Sequence, residues 1–284
     1  MSLHVKNRFA MYHYKHLTTN SWFTICPERG GIVTSLGFNG QEILYLNKET
    51  FNDPARNVRG GIPILFPICD RLSEGVYEID GKSYQLNNHG FARNACWEVL
   101  ESNEEECFIK LGLSSNPETK AVYPFDFQLT FTFQLQKQQF TIYQEYQNRS
   151  EQNMPMYAGF HPYFLTHDKY IVLQTDANHY LDMHDRSQKK YKGSFHLETT
   201  TEAFILTDAK QKNIHFSLSS AAKRVVLTYG KEFHYVAVWS EPGKEFVCIE
   251  PWMAKPNSFN TREDLIFVKP NETLRTFFTI SLEK

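Results

Sequence analysis

The sequence lacks the features that mark disulfide-rich secreted proteins and nucleic-acid-binding proteins. Its five cysteines are odd in number and include no Cys-x-x-Cys pair, so they indicate neither a disulfide framework nor a zinc knuckle. A reducing, cytoplasmic setting is therefore expected. The 30 Lys plus Arg residues nearly balance the 32 Asp plus Glu residues. This balance leaves no global basic field that could hold nucleic acid or an anionic membrane.

Long apolar runs and cofactor motifs are also missing. Met1 to Leu17 mixes basic and apolar residues without an uninterrupted apolar core, which predicts no ordinary secretory signal. The most apolar stretch, Gly60 to Cys69, is interrupted by Pro63 and Pro67 and is too short to span a bilayer. No glycine-rich phosphate loop and no His-Glu-x-x-His motif occurs. We expect a protein with no membrane role, no metal and no cofactor.

What the sequence does contain is alternation of apolar and polar residues. Five apolar residues from Phe127 to Leu135 alternate with Gln and Thr, and a second such run, Phe140 to Gln147, follows a short turn. This pattern predicts an antiparallel hairpin. Further runs that are typical of strands are Trp97–Glu101, Cys107–Leu113, Lys223–Tyr229, Tyr235–Trp239, Phe246–Glu250 and Leu274–Leu282.

Long helical periodicity is nearly absent, and no linker or repeat divides the chain. The 284 residues, 41% of them apolar, suffice for one large core. We predict an all-β protein, a large antiparallel β-sandwich or barrel, formed as a single domain over residues 1–284. The polar stretch from Leu181 to Thr201 is expected to be an exposed loop or excursion.

Three distant motifs each carry a titratable group. They are His-Gly-Phe-Ala-Arg at 89–93, Gly-Phe-His-Pro-Tyr-Phe at 159–164 and Ile-Glu-Pro-Trp at 249–252. Two imidazoles and one carboxylate can exchange protons near pH 7, because one group donates while another accepts. If the fold brings them together, proton transfer on a sugar hydroxyl and ring oxygen is the expected chemistry.

Together with Val-Arg-Gly-Gly-Ile-Pro at 58–63, these motifs resemble the aldose 1-epimerase (galactose mutarotase-like) family. Within that family the sequence is most similar to the branch that contains hexose-6-phosphate 1-epimerases. The resemblance runs in order over most of the chain. It implies a β-supersandwich, interconversion of the α and β anomers of a hexose or hexose phosphate, and no cofactor.

The resemblance also implies a catalytic pair. Glu250 would act as the base on the anomeric hydroxyl, and His161 as the acid on the ring oxygen. His89 would hydrogen-bond the same oxygen region. The competing interpretation of each histidine is structural, since a lone histidine in a turn more often caps backbone groups. For His89 this interpretation is strengthened by the turn pair Asn87-Asn88 before it.

Arginines form the second group of candidates. In the phosphosugar branch, the residues at the positions of Arg59 and Arg93 contribute to the phosphate site, while the alternative is a scaffold ion pair. Arg71 would add positive charge to the pocket or form a salt bridge with Asp70 or Glu74. After Pro63 the chain lacks the Trp-rich continuation common in phosphosugar enzymes. Both a free hexose and a hexose phosphate are therefore retained as substrates.

Two tryptophans are further candidates for the site or the core. Trp252 could stack on a pyranose or fill the core, and Trp239 is predicted to pack inside the sandwich.

A catalytically silent carbohydrate-binding protein is one alternative function. A glycoside hydrolase is another, but it needs two opposed carboxylates, and only Glu250 lies in a motif. The expected partner is a small-molecule hexose or hexose phosphate, bound by a monomer or a weak homodimer.

Overall fold

The computed structural model describes residues 8–221 and 224–283, most of which form antiparallel strands. The first strands are β1 Tyr12–His16, β2 Ser21–Cys26, β3 Ile32–Phe38, β4 Gln41–Glu42, β5 Ile64–Leu65, β6 Val76–Ile79, β7 Lys82–Gln85, β8 Glu98–Asn103, β9 Phe108–Ser114, β10 Phe127–Gln136, β11 Gln139–Asn148, β12 Met154–Met156 and β13 Gly159–Phe160. The remaining strands are β14 Tyr163–Leu165, β15 Tyr170–Gln174, β16 His179–Asp182, β17 Ser187–Lys190, β18 Ser194–His196, β19 Phe204–Leu206, β20 Asn213–Phe216, β21 Val225–Tyr229, β22 Tyr235–Trp239, β23 Phe246–Trp252, β24 Ile266–Val268 and β25 Thr273–Leu282.

Helices are short. They are α1 Lys48–Asn52, α2 Pro117–Val122 and α3 Ser258–Thr261, with 3-10 turns at Leu17–Thr19, Pro27–Arg29, Ser73–Gly75 and Ala92–Asn94. Asn116 caps α2 by accepting from the Thr119 amide, and Pro117 occupies the first turn, where no backbone donor is required. Within the described residues, no helix has the length and apolar character needed to cross a bilayer.

Two large antiparallel sheets form the body of the protein. One has nine strands in the order β18-β15-β20-β21-β25-β11-β10-β9-β8. The other has eight strands, in the order β17-β16-β19-β22-β23-β13-β5 with β14 paired to β23. This architecture confirms the predicted all-β antiparallel sandwich.

The core lies between these sheets. Phe160 of β13 contacts Phe131 of β10 and Phe278 of β25, with ring centres 6.2 and 5.1 Å apart. The predicted alternation on β10 is confirmed, because its five apolar side chains from Phe127 to Leu135 are at most 1% exposed. Burial of each phenylalanine ring stabilises the fold by about 1.5–3 kcal/mol.

The outer face of the eight-stranded sheet is also covered. On β23, Val247 and Ile249 belong to the main core, whereas Cys248 packs in a separate small cluster with Tyr163. Since side chains alternate across a strand, Glu250 lies on the same face as Cys248. The whole of β23 is therefore buried, one face by the core and the other by the residues of the candidate site.

The segment 181–201 differs from its prediction. It contains the end of β16 and the short strands β17 and β18, and Phe195 and Leu197 are 4% and 0% exposed. The expectation of a loop was wrong, because parts of the segment form strands. Most of its residues are exposed or half-buried as expected, but Phe195 and Leu197, two residues apart, face the interior.

Two predictions reach beyond the described residues. Of the segment Met1–Leu17, residues 1–7 lie outside them, and so does Lys223, the first residue of the strand predicted at 223–229. The observed strand there is Val225–Tyr229. All five cysteines are described, and all are free thiols.

Candidate active site

His161 and Glu250 meet on the outer face of the eight-stranded sheet. His161 follows β13, Glu250 lies in β23, and Nδ1 of the histidine is 3.4 Å from Oε1 of the glutamate. The two residues are only 6% and 1% exposed. The approach does not form a hydrogen bond, since Nδ1 is buried without a partner. The structure thus brings the two predicted catalytic residues into contact.

Trp252 holds the glutamate from the same strand face. Its Nε1–H donates to Oε2 of Glu250 over 3.2 Å, which leaves Oε1 facing His161. Trp252 is only 4% exposed, so its indole is packed in the protein and has no open face on which a pyranose could stack. Gly159 is its ladder partner, and a side chain there would lie 2.9 Å from Cδ1 of the indole and 2.8 Å from Cβ of Cys69.

His89 lies beside His161, with ring centres 5.3 Å apart and planes at 81°. Its backbone φ is 65°, and the following Gly90 has φ 68° at a point where a Cβ would lie 2.2 Å from the Phe66 carbonyl oxygen. Nδ1 is 2.7 Å from the carbonyl oxygen of Cys69. Because a carbonyl only accepts, Nδ1–H is the donor. His89 therefore makes the structural hydrogen bond, and Nε2 is the ring nitrogen that carries no proton in the neutral imidazole.

Burial and charge favour neutral forms of these groups. Desolvation, aided by His89 and Arg93, lowers the pKa of His161 well below its ordinary range. Desolvation, aided by the nearby Asp70, raises the pKa of Glu250 well above its ordinary range. Burial lowers the pKa of His89 to about 3. Burial thus weakens proton binding at His161 and strengthens it at Glu250.

Arg59 and Arg93 add positive charge that no carboxylate neutralises directly. Within residues 8–221 and 224–283, neither forms an ion pair with Asp or Glu. Arg93 donates from Nη2 to the carbonyl oxygen of Asn88 over 2.9 Å, and its buried Nε has no partner. The guanidinium of Arg59 lies 5.5 Å from the ring centre of Trp239. The structure therefore does not support the scaffold ion pair as the role of these arginines.

Arg71 has a different partner from those predicted. It pairs with Glu202 at 2.5 Å, not with Asp70 or Glu74, and its side chain is 56% exposed. The sequence neighbours could not reveal this pair, because Glu202 reaches Arg71 from a distant segment. Arg71 also lines a cavity of about 300 Å³ together with Leu181 and other residues, namely Met183, Arg186, Lys255 and Asn257.

Three further side chains surround the pair. Tyr163 stacks on His161, with ring centres 4.7 Å apart and planes at 7°, and Trp239 meets His161 edge-on at 5.8 Å. The prediction that Trp239 packs inside the sandwich was wrong, because its pairing with Cys248 places it on the outer face. A period-two pattern could have found Tyr163 and Cys248, which lie two residues from His161 and Glu250 respectively.

Comparison with known proteins identifies the family. The family model described as aldose 1-epimerase matches residues 18–281. The chain belongs to the aldose 1-epimerase family. A crystal structure of a Synechocystis sp. PCC 6803 protein is 35% identical, with a TM-score of 0.93, 98% of this chain and 97% of that chain being covered.

Two other similar proteins are more distant or match a shorter segment. A galactose mutarotase related enzyme from Lactobacillus acidophilus shares the fold at 22% identity and a TM-score of 0.81, with 96% of this chain and 97% of that chain covered. A Cenchrus ciliaris protein provisionally named glucose-6-phosphate 1-epimerase is 33% identical over 107 residues. That match covers 35% of this chain and 29% of the relative.

Proposed function

We propose that this member of the family is an aldose 1-epimerase that interconverts the α and β anomers of a hexose or hexose phosphate. The observation that carries the proposal is the buried approach of His161 Nδ1 to Glu250 Oε1 at 3.4 Å. The anomeric hydroxyl and the ring oxygen are bonded to the same carbon. An acid and a base that serve both oxygens at once must therefore lie close together, as this pair does.

The proposed reaction needs only one proton donor and one acceptor. Glu250 removes the proton from the anomeric hydroxyl while His161 protonates the ring oxygen, and the bond between the anomeric carbon and the ring oxygen breaks to give the aldehyde. After rotation about the adjacent carbon–carbon bond, the two groups reverse roles and close the ring on the other face. His89, through Nε2, accepts a hydrogen bond from a sugar hydroxyl.

The protonation states that burial favours in His161 and Glu250 fit this reaction. Ring opening leaves the proton on Glu250 and a neutral His161, which is the form that burial favours. The open-chain sugar therefore faces a pair in a stable protonation state. Ring closure restores the ionised pair, whose charges the bound sugar hydroxyls and the mutual attraction of the two groups must stabilise. The same pair thus serves both directions of the reaction.

Hexose-6-phosphate 1-epimerase is the more specific candidate. Arg59 and Arg93 are two cations beside the pair with no carboxylate partner among the described residues, and the buried Nε of Arg93 is unpartnered. A phosphate would satisfy both guanidinium groups through charge-assisted hydrogen bonds. The provisional name of the Cenchrus ciliaris relative agrees with this interpretation. A catalytically silent sugar-binding protein is less well supported, because pure binding requires no matched donor and acceptor.

The test is anomer equilibration of freshly dissolved α-D-glucose, α-D-galactose and glucose 6-phosphate, followed by polarimetry or exchange NMR with and without protein. We expect acceleration, strongest for the phosphosugar if the arginines bind phosphate. Saturable binding of a sugar without acceleration would instead identify a silent binding protein. The single domain, the cytoplasmic setting and the monomer or weak homodimer remain predictions.

A further inference from the structure

A third buried side chain adjoins the acid and base pair and has no role in the proposed reaction. Cys248 lies two residues before Glu250 in β23, so both project from the same strand face. A ring nitrogen of His161, the sulfur of Cys248 and a carboxylate oxygen of Glu250 all lie within 4.8 Å of one another. Imidazole nitrogen, thiolate sulfur and carboxylate oxygen are the three ligand types that zinc prefers in proteins.

The spacing of the first two ligand atoms fits a metal ion better than it fits a hydrogen bond. Two ligand atoms that each lie about 2.1 Å from a tetrahedral Zn²⁺ are about 3.4 Å apart. Nδ1 of His161 and Oε1 of Glu250 are 3.4 Å apart, and Nδ1 is buried without a hydrogen-bond partner. Trp252 occupies Oε2 of the glutamate, so Oε1 is the oxygen that remains available.

We infer that His161, Cys248 and Glu250 form a Zn²⁺ site, with the fourth position open to water. The thiolate and the carboxylate together neutralise the two charges of the ion, which offsets the repulsion from Arg93 and Arg59 nearby. Binding displaces the thiol proton of Cys248 and, where Glu250 is protonated, its carboxyl proton as well. The sulfur ligand favours zinc over Mg²⁺ and Ca²⁺, which take oxygen ligands.

This site has a functional consequence that rests on the proposed function. Zinc would occupy the nitrogen and oxygen atoms that exchange protons with the sugar. The ion and the sugar therefore exclude one another, and Zn²⁺ acts as a competitive inhibitor of anomer exchange. The metal-binding property itself depends only on the three side chains.

Zinc binding is measured directly on the reduced, EDTA-treated protein. ZnCl₂ is titrated against a chromophoric chelator, and CoCl₂ is added separately to observe the near-ultraviolet thiolate-to-cobalt absorption band. We expect one equivalent of Zn²⁺ and a cobalt band, both displaced by saturating sugar. Cys248→Ala should abolish the band and weaken zinc binding by more than about 100-fold, because even changes outside the ligand shell cost about 10–100-fold.

Cys26→Ala is the matched control, since Cys26 is a buried thiol in a separate apolar cluster. It should retain the zinc affinity and the cobalt band. Cys248→Ser provides a second variant with nearly the same volume if the alanine variant unfolds, as judged by thermal melting. Absence of stoichiometric zinc binding, or unchanged affinity in a folded Cys248 variant, overturns the inference. Zinc binding that depends on Cys248 supports it even if anomer exchange is absent, a result that would count against the proposed function alone.

Discussion

Trp252 and Glu250 are joined by a hydrogen bond within one strand, from the indole Nε1–H to Oε2 over 3.2 Å. The two residues are separated by Pro251 and project from the same strand face. This contact fixes the rotation of the carboxyl group and directs Oε1 towards His161. Trp252, which the sequence left as a possible stacking surface, thus orients the carboxyl group of Glu250.

Trp252→Phe should lower turnover by about 10- to 100-fold, because a hydrogen bond to a charged group contributes about 1.5–3 kcal/mol. Loss of the donor also raises the pKa of Glu250 further, since the bond favours the ionised form. The measurement is kcat/KM as a function of pH, in which the limb due to Glu250 should move to higher pH. Trp22→Phe removes an indole donor to Ser35 elsewhere and should leave the profile unchanged.

Glu250→Gln and His161→Asn should each reduce turnover by about two to four orders of magnitude, as expected for general base and acid groups. The double variant should lose little more than the stronger single variant, because the two groups act as a unit. Exchange NMR on glucose and glucose 6-phosphate measures the turnover of the single variants and of the double variant. His179→Asn breaks a histidine–carboxylate pair with Asp208 outside the site and should have no effect on turnover. Near-normal turnover in either site variant would contradict its role.

The pH dependence should follow the state in which the pair shares one proton, because the proposed reaction needs one donor and one acceptor. The pKa of His161 is lowered, so the acid limb of kcat/KM should lie well below pH 6.5, where an ordinary histidine titrates. The pKa of Glu250 is raised, so the alkaline limb should lie above the ordinary carboxylate range. A profile of anomer exchange corrected for the uncatalysed rate checks both limbs. An acid limb at pH 6.5 or above would show that His161 is not desolvated as described.

Arg59→Ala should raise KM for glucose 6-phosphate by about 10- to 100-fold, the effect of losing a hydrogen bond between charged groups. KM for glucose should change far less, because the free sugar carries no anion. Arg275→Ala is the control, since Arg275 pairs with Glu145 on an exposed part of the surface. Equal losses for both sugars after Arg59→Ala would indicate a structural role instead.

Gly159→Ala should lower stability by about 1–3 kcal/mol through overpacking, because its Cβ would lie 2.8 Å from Cβ of Cys69 and 2.9 Å from Cδ1 of Trp252. The displaced indole should also weaken its hold on Glu250 and reduce turnover. Urea unfolding and the exchange assay measure the two effects. Gly243→Asn is the control, because a Cβ there contacts nothing and asparagine tolerates its φ of 71°. Full stability of Gly159→Ala would contradict this packing.

The sequence predicted the features that depend on local periodicity and local motifs. Alternation from Phe127 to Leu135 identified β10 and its buried face, because side chains change sides at every residue of a strand. The motifs around His161 and Glu250 could also be recognised in the sequence, because each motif consists of a few neighbouring residues. The resemblance to the family supplied the expectation that they meet.

Only the tertiary structure decided which distant residues meet and at what distance. The 3.4 Å approach of the pair, the ion pair of Arg71 with Glu202 and the place of Trp239 beside Cys248 all depend on how separate strands are aligned. Strand register is set by the hydrogen-bond ladders and by burial across the whole sheet. No local pattern near Trp239 records that its neighbour is Cys248, and burial lowers the pKa of His161 only once distant segments have packed around it.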